Sequence, residues 1–156
     1  MNIYITLKRE RISLSALNSE ELALVDELID LHQRESNWPI FRNYWIAKVS
    51  DLYTKRGLTR KEVTETLVWR IAQDLGSRIM VRTGFARAPD YRDKIDEIVR
   101  SKFPNRRAFC EATGISEDML SHVLAHRKHL AVDTLTEALE RIGYEMQFVP
   151  IKESVS

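Results

Sequence analysis

The chain has 156 residues, 44% of them hydrophobic and 30% charged, and this composition excludes a disordered or fibrous protein. Its net charge of +1 excludes a uniformly basic nucleic-acid-binding protein, so any such binding must come from a local patch. The single cysteine excludes an intramolecular disulfide, and the first residues contain no long apolar run. We therefore expect a cytoplasmic protein without a signal peptide or a membrane span.

The N-terminal part is predicted to form a short strand followed by helices. Residues 3–7 alternate apolar with polar or aromatic side chains, which predicts a half-buried strand. Asn18 to Glu21 form a capping box, so the first helix should begin there and end near Arg34. The segment Ser36-Asn37-Trp38-Pro39 interrupts the pattern, and the next helix should then run to about Lys55 and be ended by Gly57.

That second helix carries a dense aromatic stripe from Phe41 to Tyr53, at the spacing of a buried helix face. It indicates a core or a subunit interface, and it motivates our expectation of a homodimer. A pocket for a small ligand is a weaker interpretation of the same stripe. His32, a lone histidine at the end of the first helix, is expected to have no catalytic role.

A third N-terminal helix is predicted from the capping box at Thr59–Glu62 to Gly76, which should end it. The residues after Gly76, up to Asp90, contain Gly84, Pro89 and three arginines. This composition predicts a connector. Basic residues in a connector more often face solvent or form ion pairs than contact phosphates. We therefore place a domain boundary here, with an N-terminal helical region for dimerisation or partner contact at 1–88 and a second domain at 89–151.

The second domain should open with a helix capped by Asp90 that ends near Lys102. A further helix from about Asn105 to Ala112 should bury Ala108, Phe109 and Ala112. Gly114 then supplies the positive φ that a turn between two helices needs.

After this turn, Ser116 is a good N-cap for a helix that ends at Ala125. Its core face is expected to carry Leu120 and Val123, with Met119 and Leu124 at helical spacing beside them. A last helix should span 132–142. Beyond it, Tyr144, Met146 and Phe148 alternate with polar residues and predict a closing strand, before a tail at 152–156.

The segment from Phe103 to Phe148 resembles the phage-repressor and Cro type of helix-turn-helix domain, the XRE family, and the resemblance covers about residues 90–150. Gly114-Ile115-Ser116 stands where the family has Gly-Val-Ser. Leu120-Ser121 stands where it has an aliphatic residue followed by Ser, and Thr134-Leu135 matches the start of its next helix. His126 replaces the usual glycine after the recognition helix, and histidine is among the residues that adopt a positive φ.

This resemblance implies double-stranded DNA as a partner and the helix 116–125 as the recognition helix. Residues at its outward positions would then read bases: Glu117, Asp118, Ser121 and His122. Cations on both sides would contact phosphates: Arg106, Arg107, Arg127 and Lys128. Acidic residues repel phosphates, so Glu117 and Asp118 can also be read as favourable helix starts.

No glycine-rich phosphate loop or pairing of a nucleophile with a base is present, so we expect no enzyme and no cofactor. Cys110, His122, His126 and His129 make an incomplete zinc ligand set, and we expect no metal site from them.

The sequence therefore predicts a mainly α protein, a helical N-terminal region followed by a repressor-like helix-turn-helix domain, with short terminal strands. Its expected function is sequence-specific transcriptional regulation, with an antitoxin-type repressor and its toxin partner as one form. The alternative is a protein-interaction module on a helix-turn-helix scaffold that no longer binds DNA.

Overall fold

A computed structural model describes residues 3–150, and this part of the chain is mainly α-helical with one short hairpin. The hairpin consists of β1 (Ile3–Ile5) and β2 (Arg11–Ser13), followed by a 3₁₀ turn at Leu14–Ala16. The helices are α1 (Ser19–Arg34), α2 (Trp38–Thr54), α3 (Arg60–Thr64), α4 (Leu67–Arg82), α5 (Tyr91–Lys102), α6 (Arg106–Thr113), α7 (Glu117–Leu124) and α8 (Val132–Arg141). The expectation of a mainly α fold is confirmed. The expected tail at 152–156 lies outside the described residues.

The chain divides into two compact units, and the division falls between Ala88 and Pro89. Each unit has its own buried apolar cluster. None of the described helices is both long enough and apolar enough to cross a lipid bilayer.

In the first unit, α4 packs on α1 and on α2 around a core that includes Leu28, Phe41 and Ile71. The predicted capping boxes are confirmed at both Asn18 and Thr59, where side-chain and backbone groups of the first turn bond reciprocally. The aromatic stripe of α2 is largely core, since Phe41 and Trp45 are buried.

The predicted strand at residues 3–7 exists over Ile3–Ile5, and it pairs antiparallel with β2, which the sequence did not predict. Arg9 makes the reversal between the strands with a φ of 67°. The hairpin is anchored to α4 by Asp74, whose Oδ1 accepts from the backbone N–H of Leu7 at 2.8 Å. Arg78 donates to Oδ2 of Asp74 and to the carbonyl of Ile5.

The prediction of one helix from Thr59 to Gly76 is right at its start but wrong in its middle and at its C-terminal end. The chain breaks between α3 and α4 because Thr66 starts a new helix, with its Oγ1 accepting from the backbone N–H of Trp69. Gly76 does not end α4 but lies buried inside it, where a Cβ would sit 3.1 Å from Nε1 of Trp38. Its small size therefore serves close packing, and α4 continues to Arg82.

Because α4 is longer than expected, Arg78 and Arg82 belong to a helix and not to a connector. Arg78 forms an ion pair with Asp74, and Arg82 donates to the carbonyls of His32 and Glu35. Both side chains are thus held within the first unit.

In the second unit, α5 packs on α7, and α6 packs on α7 and α8. Asp90 caps α5 as predicted. The expected burial of Phe109, Leu120 and Val123 is confirmed. Ile115, Leu135 and the half-buried Leu139 pack in the same cluster. Ala112 was expected in this core but is exposed, because it is rotated about 100° around the helix axis from the buried Thr113.

The predicted closing strand is absent from the described residues. Tyr144, Met146 and Phe148 follow α8 in irregular structure and are exposed. A strand needs a neighbour that takes up its backbone hydrogen bonds, and the described part of this unit contains no strand to provide one.

Candidate nucleic-acid interface

The turn between α6 and α7 fixes how α7 leaves the core. Gly114 ends α6 with a φ of 81°, and its N–H donates to the carbonyl of Cys110 at 2.8 Å. A Cβ at this position would lie 2.6 Å from Nη1 of Arg141, which itself donates to the carbonyl of Thr113. Both the left-handed φ and the close guanidinium therefore require glycine here.

Replacing Gly114 with alanine should lower the free energy of unfolding of the second unit by about 2 kcal/mol. Left-handed φ costs about 1–2 kcal/mol for a residue with a Cβ, and displacing Arg141 adds to this cost. Gly143→Ala is the matched control, since its φ is 84° and nothing lies within 4 Å of the added Cβ. Urea unfolding should show a larger loss of unfolding free energy for Gly114→Ala than for Gly143→Ala. Equal losses would show that the close contact with Arg141 adds no cost at residue 114.

One face of α7 is buried and the opposite face is polar. Leu120 and Val123 are each 0% exposed, whereas Glu117 and Asp118 in the first turn are exposed. Ser116 caps the helix, with Oγ accepting from the backbone N–H of Met119 at 3.1 Å. The helix therefore presents its polar side to solvent.

Three residues that are predicted to contact DNA form a connected row along this polar side of α7: Asp118, His122 and Arg127. Arg127 donates through Nε to Nδ1 of His122 at 3.1 Å. Because Nδ1 accepts, the ring proton is on Nε2, which lies 3.7 Å from Oδ1 of Asp118. The side chain of His122 is 32% exposed and that of Asp118 is 89% exposed. Arg127 is thus brought onto the outward face of α7. Ser121, on the same helix, is half-buried.

The cations at the start of α6 lie on the surface. Arg106 and Arg107 are both exposed, and Arg107 is 3.7 Å from Glu111 in a solvated ion pair. Burial raises the pKa of the Cys110 thiol, Glu117 raises it further and Arg106 opposes the rise. Both charges therefore act on this thiol.

A groove of about 310 Å³ runs beside the first turn of α6, and its lining includes Arg100 and Arg106 together with the helix cap Asn105. Arg100 was not predicted as part of a binding surface. It is 3.0 Å from Asp96 in an exposed ion pair, an interaction that is weak in water. Its position in the last turn of α5 gave no sequence signal that it would line a groove.

Lys128 is exposed, and its backbone takes part in the packing that follows α7. Its carbonyl accepts from Nη1 of Arg92 at 3.3 Å.

Arg92 is only 7% exposed and also forms an ion pair with Asp90 at 2.6 Å. Hydrogen bonds from Arg92 hold the pKa of Asp90 at about 2. This buried guanidinium was missed, because nothing in the sequence distinguishes Arg92 from a surface arginine.

No family model, no curated protein and no solved structure matches this chain.

Proposed function

We propose that residues 89–150 bind double-stranded DNA, with the polar side of α7 in the major groove, and that the protein is a transcriptional regulator. The observation that carries the proposal is the row of Asp118, His122 and Arg127 on the outward side of a helix whose other side is buried. At about 1.5 Å per residue, eight residues give a helix of about 12 Å, which fits a major groove of similar width.

The proposed contacts fall into two groups by chemistry. Arg106, Arg107, Arg127 and Lys128 would bind phosphates, because they are exposed cations on the elements that flank the start and end of α7. Groups on α7 itself would meet base edges: Glu117, Asp118, Ser121 and His122. A carboxylate can accept from cytosine N4, and a hydroxyl or an imidazole can serve more than one base.

One short helix gives little sequence specificity, so we propose that the protein acts as a homodimer on two half-sites about 34 Å apart. The exposed apolar residues after α8, Tyr144, Met146 and Phe148, are available for contact with a second copy or with a protein partner. An antitoxin-type repressor, whose partner is a toxin, is the specific regulatory role that we propose.

A protein-interaction module is the second candidate, and the charge of the second unit favours it. Residues 89–150 contain nine Lys and Arg against eleven Asp and Glu, so this unit is slightly acidic. Asp118 and Glu117 point away from the core and would repel phosphates that lie close to α7. On this interpretation, the same polar face binds a basic protein surface.

Replacing Arg127 with glutamine should weaken binding to every DNA sequence and reduce the slope of log affinity against log salt by about one. A phosphate contact is insensitive to sequence, so the preference among sequences should stay. Ser121→Ala is the matched comparison, since loss of a base contact should change preference at one base pair by about 1–3 kcal/mol and leave the salt slope unchanged. Salt titrations of both variants measure this difference, and identical behaviour of the two would contradict the assignment.

A further inference from the structure

A buried histidine with an unpaired ring nitrogen lies between two carboxylates in the second unit. His126 follows α7 with a φ of 59°, and its side chain is 9% exposed. Its Nε2 lies 3.3 Å from Oδ1 of Asp93, and its Nδ1 lies 3.9 Å from Oδ2 of Asp90. Among the described residues, no group forms a hydrogen bond with Nδ1. A buried polar atom without a partner is costly, so a ligand that reorganises this cluster can stabilise it.

The three side chains also have the geometry of a metal ligand set. One ligand atom from each of Asp90, Asp93 and His126 lies within 4.8 Å of the other two. The distance of 3.3 Å between Nε2 and Oδ1 of Asp93 matches the separation of two ligands that are each about 2.0–2.1 Å from a tetrahedral zinc ion. We propose that Asp90, Asp93 and His126 bind a divalent transition-metal ion, with Zn²⁺ as its representative.

The donor atoms select the class of ion. Mg²⁺ and Ca²⁺ prefer oxygen ligands only, whereas an imidazole nitrogen with two carboxylates suits Zn²⁺ and its transition-metal neighbours. The nitrogen of His126 that does not bind the ion would carry the ring proton.

Arg92 is the cation that competes with a metal ion at this cluster. It donates through Nε and Nη2 to the carboxylate of Asp90. Nε also donates to the second carboxylate oxygen, and the backbone N–H of Arg92 donates to Oδ1. These bonds occupy the roughly four acceptor sites of the carboxylate, so an ion that binds Asp90 must displace at least one of them. With two carboxylates and one guanidinium, the cluster still carries a net negative charge that attracts a cation.

A bound ion would join two elements of the unit. Asp90 is the N-cap of α5, Asp93 lies in its first turn, and His126 lies just beyond the end of α7. The ion would therefore fasten the end of α7 to the start of α5. This role does not depend on DNA binding, since the three side chains are separate from the proposed base-reading and phosphate-binding residues.

The test is calorimetric titration of the full chain with ZnCl₂, together with thermal unfolding with and without the ion. We expect saturable binding of one ion per chain, and a thermal midpoint raised by about 10 °C at a hundredfold excess over Kd. His126→Asn and Asp93→Asn should each weaken binding at least tenfold. His129→Asn is the matched control and should bind like the unaltered chain.

These variants should fold, because asparagine tolerates the positive φ of residue 126 and keeps a side-chain oxygen that can cap α5 at residue 93. If circular dichroism shows that one of these variants is unfolded, the zinc affinity of the other variant tests the proposal. Absence of saturable binding at millimolar zinc, or binding that survives in both variants, would overturn the proposal. So would an equal loss in His129→Asn.

Discussion

Replacing Leu120 with alanine is expected to lower the free energy of unfolding of the second unit by about 2–5 kcal/mol. Leu120 is 0% exposed and lies in the same apolar cluster as Phe109, Ile115 and Val123. Truncating a leucine at such a site removes buried apolar surface and leaves a cavity that α6 and α5 cannot fully close. The loss is measured by urea unfolding followed by circular dichroism.

Leu124→Ala is the matched control, because Leu124 lies on the same helix but is only half-buried. It should cost clearly less than Leu120→Ala. If the two variants lose the same stability, or if Leu120→Ala loses under 1 kcal/mol, Leu120 is not the core residue of α7.

The second large effect is expected at Asp74 in the first unit. Asp74→Ala should destabilise this unit by about 3 kcal/mol, because it leaves Arg78 without its partner and the hairpin without its anchor. The side chain of Asp74 is 10% exposed and that of Arg78 is 33% exposed. Asp74 also accepts from the hydroxyl of Tyr4, and burial together with this carboxylate raises the pKa of that hydroxyl.

Asp51→Ala provides the matched comparison in α2. Asp51 also forms an ion pair with a cation four residues on, Lys55, but both side chains are more than 60% exposed. Such a pair contributes about 0.5 kcal/mol or less. Thermal unfolding should separate the two variants widely, and a similar midpoint for both would show that the Asp74 network does not hold the hairpin.

Local chemistry made the second unit the more predictable part of the chain. Gly114 and Ser116 mark the end of α6 and the start of α7 by backbone preferences that act over one or two residues. The apolar spacing of α7 then identified Leu120 and Val123 as buried. His126 adopts the positive φ that its position after α7 requires.

The errors arose where contacts distant in sequence decide the structure. Gly76 reads as a helix end, but it lies inside α4 because the ring of Trp38 packs against it from 38 positions earlier in the chain. The apolar stripe continues across Thr66, so the stripe alone predicted one helix. It did not show that Thr66 caps a new helix. The alternation after α8 predicted a strand, yet strand formation depends on a partner that sequence periodicity does not supply.

The site itself was only partly accessible from the sequence. Spacing places Asp118 and His122 on one side of a helix. It does not show that Arg127 joins them by donating to Nδ1 of His122. Arg92 and the unpaired nitrogen of His126 were also invisible, since both depend on how the start of α5 meets the end of α7. Such contacts follow from packing between helices and not from local propensity.

DNA binding by the second unit is the central claim, and fluorescence anisotropy of the full chain with a pool of labelled duplexes tests it most directly. Four phosphate contacts predict that affinity falls on the order of 100-fold between about 50 mM and about 200 mM salt. Selection from the pool should also enrich a sequence with two half-sites about 34 Å apart. Absence of binding at low salt, or binding without salt dependence and without enrichment, would contradict the claim and favour the protein-interaction module.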